Sequence, residues 1–167
     1  MNNIFDNKVK TLLIGLVLVL FFGGCSSRGG ETTIVTNFPN TVWNRFAPVD
    51  TVFVIENTKK LYDIKVELNV ADGFAHATIP IEIAITSPNG QENILNKIIV
   101  VKDKDGKHLG NVFGDIWTVE LPIYQGKEFS KEGEYNIFIQ NRSQYYDLIG
   151  VESLTFTVIP SGKKKNE

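Results

Sequence analysis

The sequence of 167 residues is poor in the side chains that build disulfide and metal sites, with one cysteine and two histidines. A lone cysteine has no partner for an intramolecular disulfide. His76 and His108 are widely separated and do not supply the three or four closely spaced ligands of a zinc site. We therefore predict that the chain binds no metal ion.

An excess of charge of either sign is also absent, since 17 Lys and Arg residues stand against 19 Asp and Glu residues. Both signs are interspersed and no basic stripe occurs, so nucleic acid is not an expected partner. Three lysines, Lys163 to Lys165, form a short basic tail. We expect residues 161–167 to be a disordered, solvated terminus.

The chain lacks the motifs of nucleophilic catalysis and of calcium binding. No Gly-x-Ser-x-Gly elbow occurs. Asp103–Gly106 resembles the start of an EF-hand loop, but Gly114 stands where the bidentate acid of that loop is required. Glu67, Glu82 and Glu120 fall inside predicted strands, where we expect them to face solvent rather than to form a catalytic pair. We predict that the protein is not an enzyme.

A transmembrane helix needs about 20 consecutive apolar residues, and no apolar run in the sequence is that long. The run Thr11–Phe22 follows Lys8 and Lys10 and ends before two glycines and Cys25. This order is typical of a signal peptide, and small residues before a cysteine are typical of bacterial lipoprotein processing, although Phe22 replaces the usual Leu, Val or Ile. We predict that residues 1–24 are removed. Cys25 then carries diacylglycerol and an N-acyl chain such as palmitate, and the chain has no other cofactor.

The residues after Cys25 predict where the anchored protein lies. Ser26 stands in place of the aspartate that retains lipoproteins in the inner membrane of enteric bacteria. No acidic cluster of the kind associated with surface export in Bacteroidetes follows the cysteine. We therefore expect the protein on the periplasmic face of the outer membrane, bound to the lipid bilayer through the acylated Cys25.

Apolar and polar residues alternate through most of the remaining chain, most clearly in Tyr62–Val70 and Ile79–Ile85. This period of two predicts half-buried antiparallel strands, and turn sequences such as Pro88–Gly90 separate them. We predict an all-β fold, a single antiparallel β-sandwich or jelly-roll-like domain over residues 41–160. A flexible tether over residues 25–40 would join it to the anchor. The other predicted strands are Thr51–Ile55, Ile94–Val101, Trp117–Ile123, Tyr135–Ile139 and Leu154–Ile159.

The aromatic residues divide into core candidates and surface candidates. Tyr62 and Phe53 belong to apolar strand patterns, so we expect them in the core. Trp43 and the pair Tyr145 and Tyr146 lie in loop-like sequence and could be exposed. Because tyrosine and tryptophan are enriched at interfaces, these three residues are candidates for a binding surface.

The segments that follow the signal peptide occur in an order found in one known family. Gly133–Gln140 contains a Gly-x-Tyr strand, Arg142 follows it, and Leu148–Val151 precedes the last strand. These segments resemble the GldH family of gliding-motility lipoproteins from Bacteroidetes. The earlier matching pieces are Cys25, Trp43, Phe53–Ile55, Tyr62–Leu68, Ile79–Ile85 and Pro88–Gly90.

The resemblance implies a non-enzymatic outer-membrane lipoprotein that acts as an accessory or scaffold of the gliding-motility machinery, which is associated with type IX secretion. Its partners would be other envelope or motility lipoproteins. The polar and aromatic segment containing Arg142, Tyr145, Tyr146 and Asp147 is the candidate partner contact. The alternative for this segment is that Arg142 and Asp147 pair with each other and only fix the loop.

A second class of function fits the same fold, namely a glycan-binding outer-membrane lipoprotein with a β-sandwich recognition face. An exposed and coplanar strip formed by Trp43, Trp117, Tyr145 and Tyr146 would favour glycan binding. Burial of these aromatic side chains would favour the scaffold.

Overall fold

The computed structural model describes residues 30–162, and these residues form eleven β-strands. The predicted signal peptide, Cys25 and the lysine tail lie outside the described residues. Within residues 30–162 the helical segment is a single 3-10 turn, Pro39–Thr41, and no helix there is long and apolar enough to cross a membrane. The strands are β1 (Thr32–Asn37), β2 (Val42–Asn44), β3 (Val49–Ile55), β4 (Leu61–Ala71), β5 (Thr78–Thr86), β6 (Glu92–Val100), β7 (Asn111–Phe113), β8 (Ile116–Glu128), β9 (Gly133–Asn141), β10 (Asp147–Ile149) and β11 (Val151–Pro160).

The strands form two antiparallel sheets packed around one core. The five-stranded sheet has the order β1-β11-β4-β8-β7, and the four-stranded sheet has the order β3-β9-β5-β6. A ribbon of β2 and β10 forms a separate two-stranded sheet. Because the chain crosses repeatedly between the sheets, strands distant in sequence lie side by side, as β4 and β11 do. This architecture confirms the predicted all-β antiparallel sandwich.

Alternation of side chains along the strands builds the core between the sheets. In β4, Tyr62, Ile64, Val66, Leu68 and Val70 are buried, whereas the residues between them are only half-buried. Strands β5 and β9 contribute a facing set of isoleucines. Full burial of one such side chain contributes about 1.5–3 kcal/mol relative to leaving it exposed, so the aliphatic core is the main source of stability.

The ordered domain begins earlier than the sequence predicts. Thr32–Asn37 falls inside the expected tether of residues 25–40, but it forms β1 and pairs with β11 along its whole length. The hydrophobic signal of β1 is weak because it is an edge strand. Ile34 packs against the core, and threonines occupy most other positions. The sandwich therefore starts close to Cys25 in the sequence.

Gly110 lies where the chain returns towards β8, and its backbone leaves no room for a side chain. Its φ is +92°, and a Cβ atom there would overlap the carbonyl oxygen of Thr118. We expect Gly110→Ala to lower the free energy of unfolding by about 2–4 kcal/mol, because left-handed strain and steric overlap act together. Urea unfolding followed by circular dichroism measures this loss.

Gly106 provides the matched control. Its φ is +80°, but no atom lies within 4 Å of an added Cβ. Gly106→Ala should therefore lose only the left-handed backbone contribution, about 1 kcal/mol. Equal losses in the two variants would show that overlap at Thr118 is not the cause.

Candidate partner-binding site

The candidate contact residues lie on and beside the ribbon of β2 and β10. Leu148 pairs with Trp43 in this ribbon, and both side chains are buried. Their neighbour Ile149 is exposed. The ribbon is therefore fixed to the sandwich by one face and presents its other face to solvent.

Trp43 is fully buried, so the expectation that it could be exposed is wrong. Its ring stacks on Phe38 with 5.1 Å between the ring centroids. Its Nε1 donates a hydrogen bond to the carbonyl of Ala47 at 3.2 Å. A three-residue strand is too short to show a period, which is why the sequence could not assign the indole to the core. Trp43 therefore packs beneath the ribbon and supports the candidate site without being part of its exposed surface.

Four exposed side chains lie on or beside the ribbon, and together we call them the aromatic end surface: Phe46, Tyr145, Tyr146 and Ile149. Phe46 is 70% exposed and Tyr146 is 66% exposed, and their ring centroids lie 5.7 Å apart. Phe46 was not among the sequence-predicted contact residues. It reaches Tyr146 because the amide of Arg45 donates to the Tyr146 carbonyl at 2.7 Å, a long-range pairing that leaves no local signal.

The loop before β10 is held by hydrogen bonds from its own side chains. Asn141 Oδ1 accepts from the amide of Ser143 at 2.8 Å. Ser143 Oγ donates to the carbonyl of Tyr145 at 3.1 Å and accepts from the amide of Tyr145 at 3.2 Å. Such bonds fix the local backbone. The aromatic end surface is thus preformed, which reduces the conformational entropy that a binding partner must overcome.

Arg142 and Asp147 are both exposed, but they do not pair with each other. Arg142 Nη1 donates to Gln140 Oε1 at 3.3 Å. Asp147 Oδ1 accepts from Asn44 Nδ2 at 2.7 Å, a bond that ties β10 to β2. The alternative of a local Arg142–Asp147 pair is therefore wrong. Asp147 positions the ribbon, and Arg142 stands at its border.

A groove of about 470 Å³ runs beside Tyr145, between the loop before β10 and the start of β5. His76, Pro80, Ser143 and Leu148 contribute to its walls, and the rings of His76 and Tyr145 lie 4.5 Å apart. Although the groove holds a serine and a histidine, the Ser143 hydroxyl is bonded to backbone groups of Tyr145. That arrangement lacks the hydrogen bond to a base by which a serine nucleophile is activated.

Two glutamates and a lysine form an ion network on the outer surface of the five-stranded sheet. Glu67 and Glu120 face each other across β4 and β8. Lys65 Nζ lies 2.8 Å from Glu120 and 3.1 Å from Glu67. These hydrogen bonds, the one to Glu120 foremost, raise the pKa of Lys65 above its ordinary value. An ammonium group held in this way offsets one of the two facing negative charges and is no proton acceptor at neutral pH.

Two further titratable groups, His108 and Tyr135, pack against the fold. His108 packs against Trp117 with 5.0 Å between ring centroids. Burial raises the pKa of Tyr135, whose hydroxyl donates to the Lys131 carbonyl at 3.0 Å. In the described part of the chain, no group of three or more His, Cys, Asp or Glu residues could hold a metal ion. Among the described residues, the aromatic end surface with its groove is therefore the candidate functional site.

This site lies at the end of the sandwich opposite to the one where the chain enters. Thr32, the first residue of β1, pairs with Val158 near the end of β11. Tyr62 pairs with Pro160 at that same end, whereas Val70 pairs with Val151, directly after the candidate loop. The run of β4 from Tyr62 to Val70 corresponds to about 26 Å at roughly 3.3 Å per residue. A membrane anchor before Gly30 would thus be separated from the aromatic end surface by most of the length of the sandwich.

Comparison with known proteins assigns the family. A family model described as GldH lipoprotein matches residues 32–158, from the first residue of β1 almost to the end of β11. No curated protein sequence matches the chain. Among solved structures, the crystal structure of the infectious bursal disease virus VP2 subviral particle is similar with a TM-score of 0.39 and 10% sequence identity. That match covers 84% of this chain and 35% of the viral chain. On the strength of the family match, the chain belongs to the GldH lipoprotein family.

Proposed function

We propose that this lipoprotein is a non-enzymatic accessory of the gliding-motility machinery, which is associated with type IX secretion. It would be anchored through Cys25 on the periplasmic face of the outer membrane and would contact other envelope proteins. The family match supports the lipoprotein character of this proposal. The observation that carries the contact role is the preformed aromatic end surface, which the sandwich holds away from the anchored end.

The aromatic end surface has the composition of a protein contact. Phe46, Tyr145 and Tyr146 are large side chains of the kind enriched at the energetic centres of interfaces. Arg142 and Asp147 stand exposed beside them and provide a polar border. Exposed aromatic residues that are held in place by hydrogen bonds, as Tyr146 is through Arg45, need little reorganisation on binding.

The glycan-binding alternative receives less support from the aromatic residues. Trp43 is fully buried under the ribbon. Trp117 is half-buried, and its Nε1 donates to Asp72 at 3.1 Å. Of the four aromatic residues proposed for a strip, only Tyr145 and Tyr146 are exposed, and both belong to a loop rather than to an open sheet face. A stacking platform for a polysaccharide would need more coplanar rings than these.

We predict that a Phe46→Ala and Tyr146→Ala double variant is present at normal abundance but spreads on agar like a strain that lacks the protein. Both side chains are largely exposed, so their removal should change stability by no more than about 0.5 kcal/mol each. Loss of two aromatic anchors removes the centre of the proposed contact. Colony spreading and immunoblotting in the native bacterium measure the two effects.

Phe113→Ala is the matched control, because Phe113 is 90% exposed on the short edge strand β7, outside the aromatic end surface. It should spread normally. Normal spreading of the double variant at normal abundance would contradict the contact role of the surface. Normal spreading of the strain without the protein would contradict the motility function. Retention of the protein on a polysaccharide resin that is lost in the double variant would favour the glycan alternative.

A further inference from the structure

The two outer faces of the sandwich differ in chemistry. The central strands of the five-stranded sheet present mainly polar side chains outward, including Glu67, Asn69 and Thr155. Asn69 forms hydrogen bonds with Ser153 and Thr118, so the side chains of neighbouring strands satisfy one another on this face. Its exposed apolar residues, Val35 on β1 and Phe113 on β7, lie on its two edge strands. The mainly polar composition of the central strands is typical of a solvent-exposed surface.

The outer face of the four-stranded sheet, in contrast, carries an apolar area. Ala84 of β5 pairs with Phe138 of β9 on one side and with Ile94 of β6 on the other, so the three side chains form a continuous row. We call this the lateral face. Its strongly exposed aliphatic residues are Val52, Val54, Ile94, Ile98 and Val100. Val52 and Val54 lie on the edge strand β3 and the other three on the edge strand β6, with Phe138 and Ala84 on the strands between them. Exposed apolar residues in this number on one face of a folded protein mark interaction sites.

The outward-pointing charged residues within the four strands of the lateral face are all acidic, and Arg142, directly after β9, lies at the border of the face. The residues that point outward along β3, β9, β5 and β6 include four carboxylates and no lysine or arginine; the carboxylates are Asp50, Glu134, Glu82 and Glu92. Within residues 30–162 none of these four carboxylates has an ion-pair partner. The whole chain has nearly equal numbers of acidic and basic residues, so this one-sided distribution is local.

The sign of the charge indicates which occupant fits. A second copy bound through the same face would bring carboxylates against carboxylates, and like charges across an interface cost several kcal/mol. The acyl chains of a lipid could cover the aliphatic residues, but phosphate headgroups would meet the same four carboxylates. A protein that presents apolar side chains together with lysine or arginine residues matches both features of the face.

We propose that the lateral face docks a different protein, one whose contact surface combines apolar side chains with lysine or arginine residues. The strands of this face run from the anchored end to the aromatic end surface, so such a partner would lie alongside the sandwich. The inference goes beyond the motility role, because it rests on the chemistry of the face alone. It also assigns the binding to a surface distinct from Tyr145 and Tyr146.

Photo-crosslinking in living cells tests this proposal on the full-length protein. A photoreactive amino acid is placed at Ile98, which is 57% exposed on the lateral face, or at Val35, which is 55% exposed on the opposite face. We expect Ile98 to give an adduct with another protein and Val35 to give none. Mass spectrometry of the Ile98 adduct should identify a partner peptide next to lysine or arginine residues.

Charge reversal separates a basic partner from other occupants. In the Ile98 background, Glu82→Lys combined with Glu92→Lys should reduce the adduct about tenfold, because basic residues would then face each other. Glu31→Lys combined with Glu152→Lys changes the net charge equally, but beside β1 and in β11 of the other sheet. This control should leave the adduct unchanged.

Several outcomes would overturn the proposal. These are an adduct of twice the mass of the chain, an adduct with lipid alone, an equal adduct from Val35, no adduct from Ile98, and insensitivity to the charge reversal on the lateral face. Circular dichroism of each purified variant confirms that the sandwich is folded. Because the readout is an adduct and not colony spreading, its failure is distinguishable from failure of the motility function.

Discussion

A Cys25→Ala variant is expected to lose its lipid completely and to disappear from the outer-membrane fraction. The predicted diacylglycerol and N-acyl chains exceed the two lipid signals that stable anchoring requires, and each buried methylene contributes about 0.8 kcal/mol. Alanine has no thiol to accept them. Metabolic labelling with radioactive palmitate and density fractionation of the membranes measure acylation and location in the same cells.

Two neighbouring substitutions make the Cys25 result specific. Ser27→Ala leaves the cysteine and its preceding residues intact, so it should be labelled and located like the unmodified protein. Phe22→Leu restores the residue type that usually stands three positions before the cysteine, so processing should be at least as complete. Palmitate labelling of the Cys25→Ala variant, or its retention in the outer membrane, would show that the anchor is elsewhere.

Long alternating strands could be predicted from the sequence, and short strands could not. Strands β4 and β5 show several cycles of buried and outward-facing residues, so the period of two identifies them without further context. Strands β2, β7 and β10 have three residues each, which is less than two cycles of that period. Their pairing is decided by tertiary neighbours, such as Leu148 opposite Trp43, which lie far apart in the chain.

The candidate site shows the same division between local and long-range information. Tyr145 and Tyr146 could be identified as surface candidates because they lie in a polar stretch between two predicted strands. The partnership of Phe46 with Tyr146 could not, because a hydrogen bond between Arg45, which follows β2, and the distant loop creates it. The apolar lateral face also could not be predicted from the sequence. Alternation assigns Ile94 and Ile98 to one side of β6, but only the sheet order shows that this side has no covering layer.

Trp43→Ala is expected to lower the free energy of unfolding by about 3–5 kcal/mol, as for other large aromatic residues removed from a core. The substitution leaves a cavity under the ribbon, removes the stack on Phe38 and leaves the Ala47 carbonyl without its indole donor. A domain is typically stable by only about 5–15 kcal/mol, so this is a large share of the total. Urea unfolding followed by circular dichroism measures the loss without relying on tryptophan fluorescence.

Comparison with Tyr146→Ala distinguishes support of the site from contact with a partner. Tyr146 is exposed, so its removal should change the unfolding free energy by no more than about 0.5 kcal/mol and yet impair colony spreading. Trp43→Phe retains a ring against Phe38 but not the hydrogen bond to Ala47, so its loss should be about 1–3 kcal/mol. A Trp43→Ala variant as stable as the unmodified protein would mean that the ribbon is not packed as described. Arg45 joins the segment after Trp43 to Tyr146, so destabilisation of the ribbon must also displace the aromatic end surface. The Trp43→Ala variant should therefore lose both stability and partner contact, whereas the Tyr146→Ala variant should lose only partner contact.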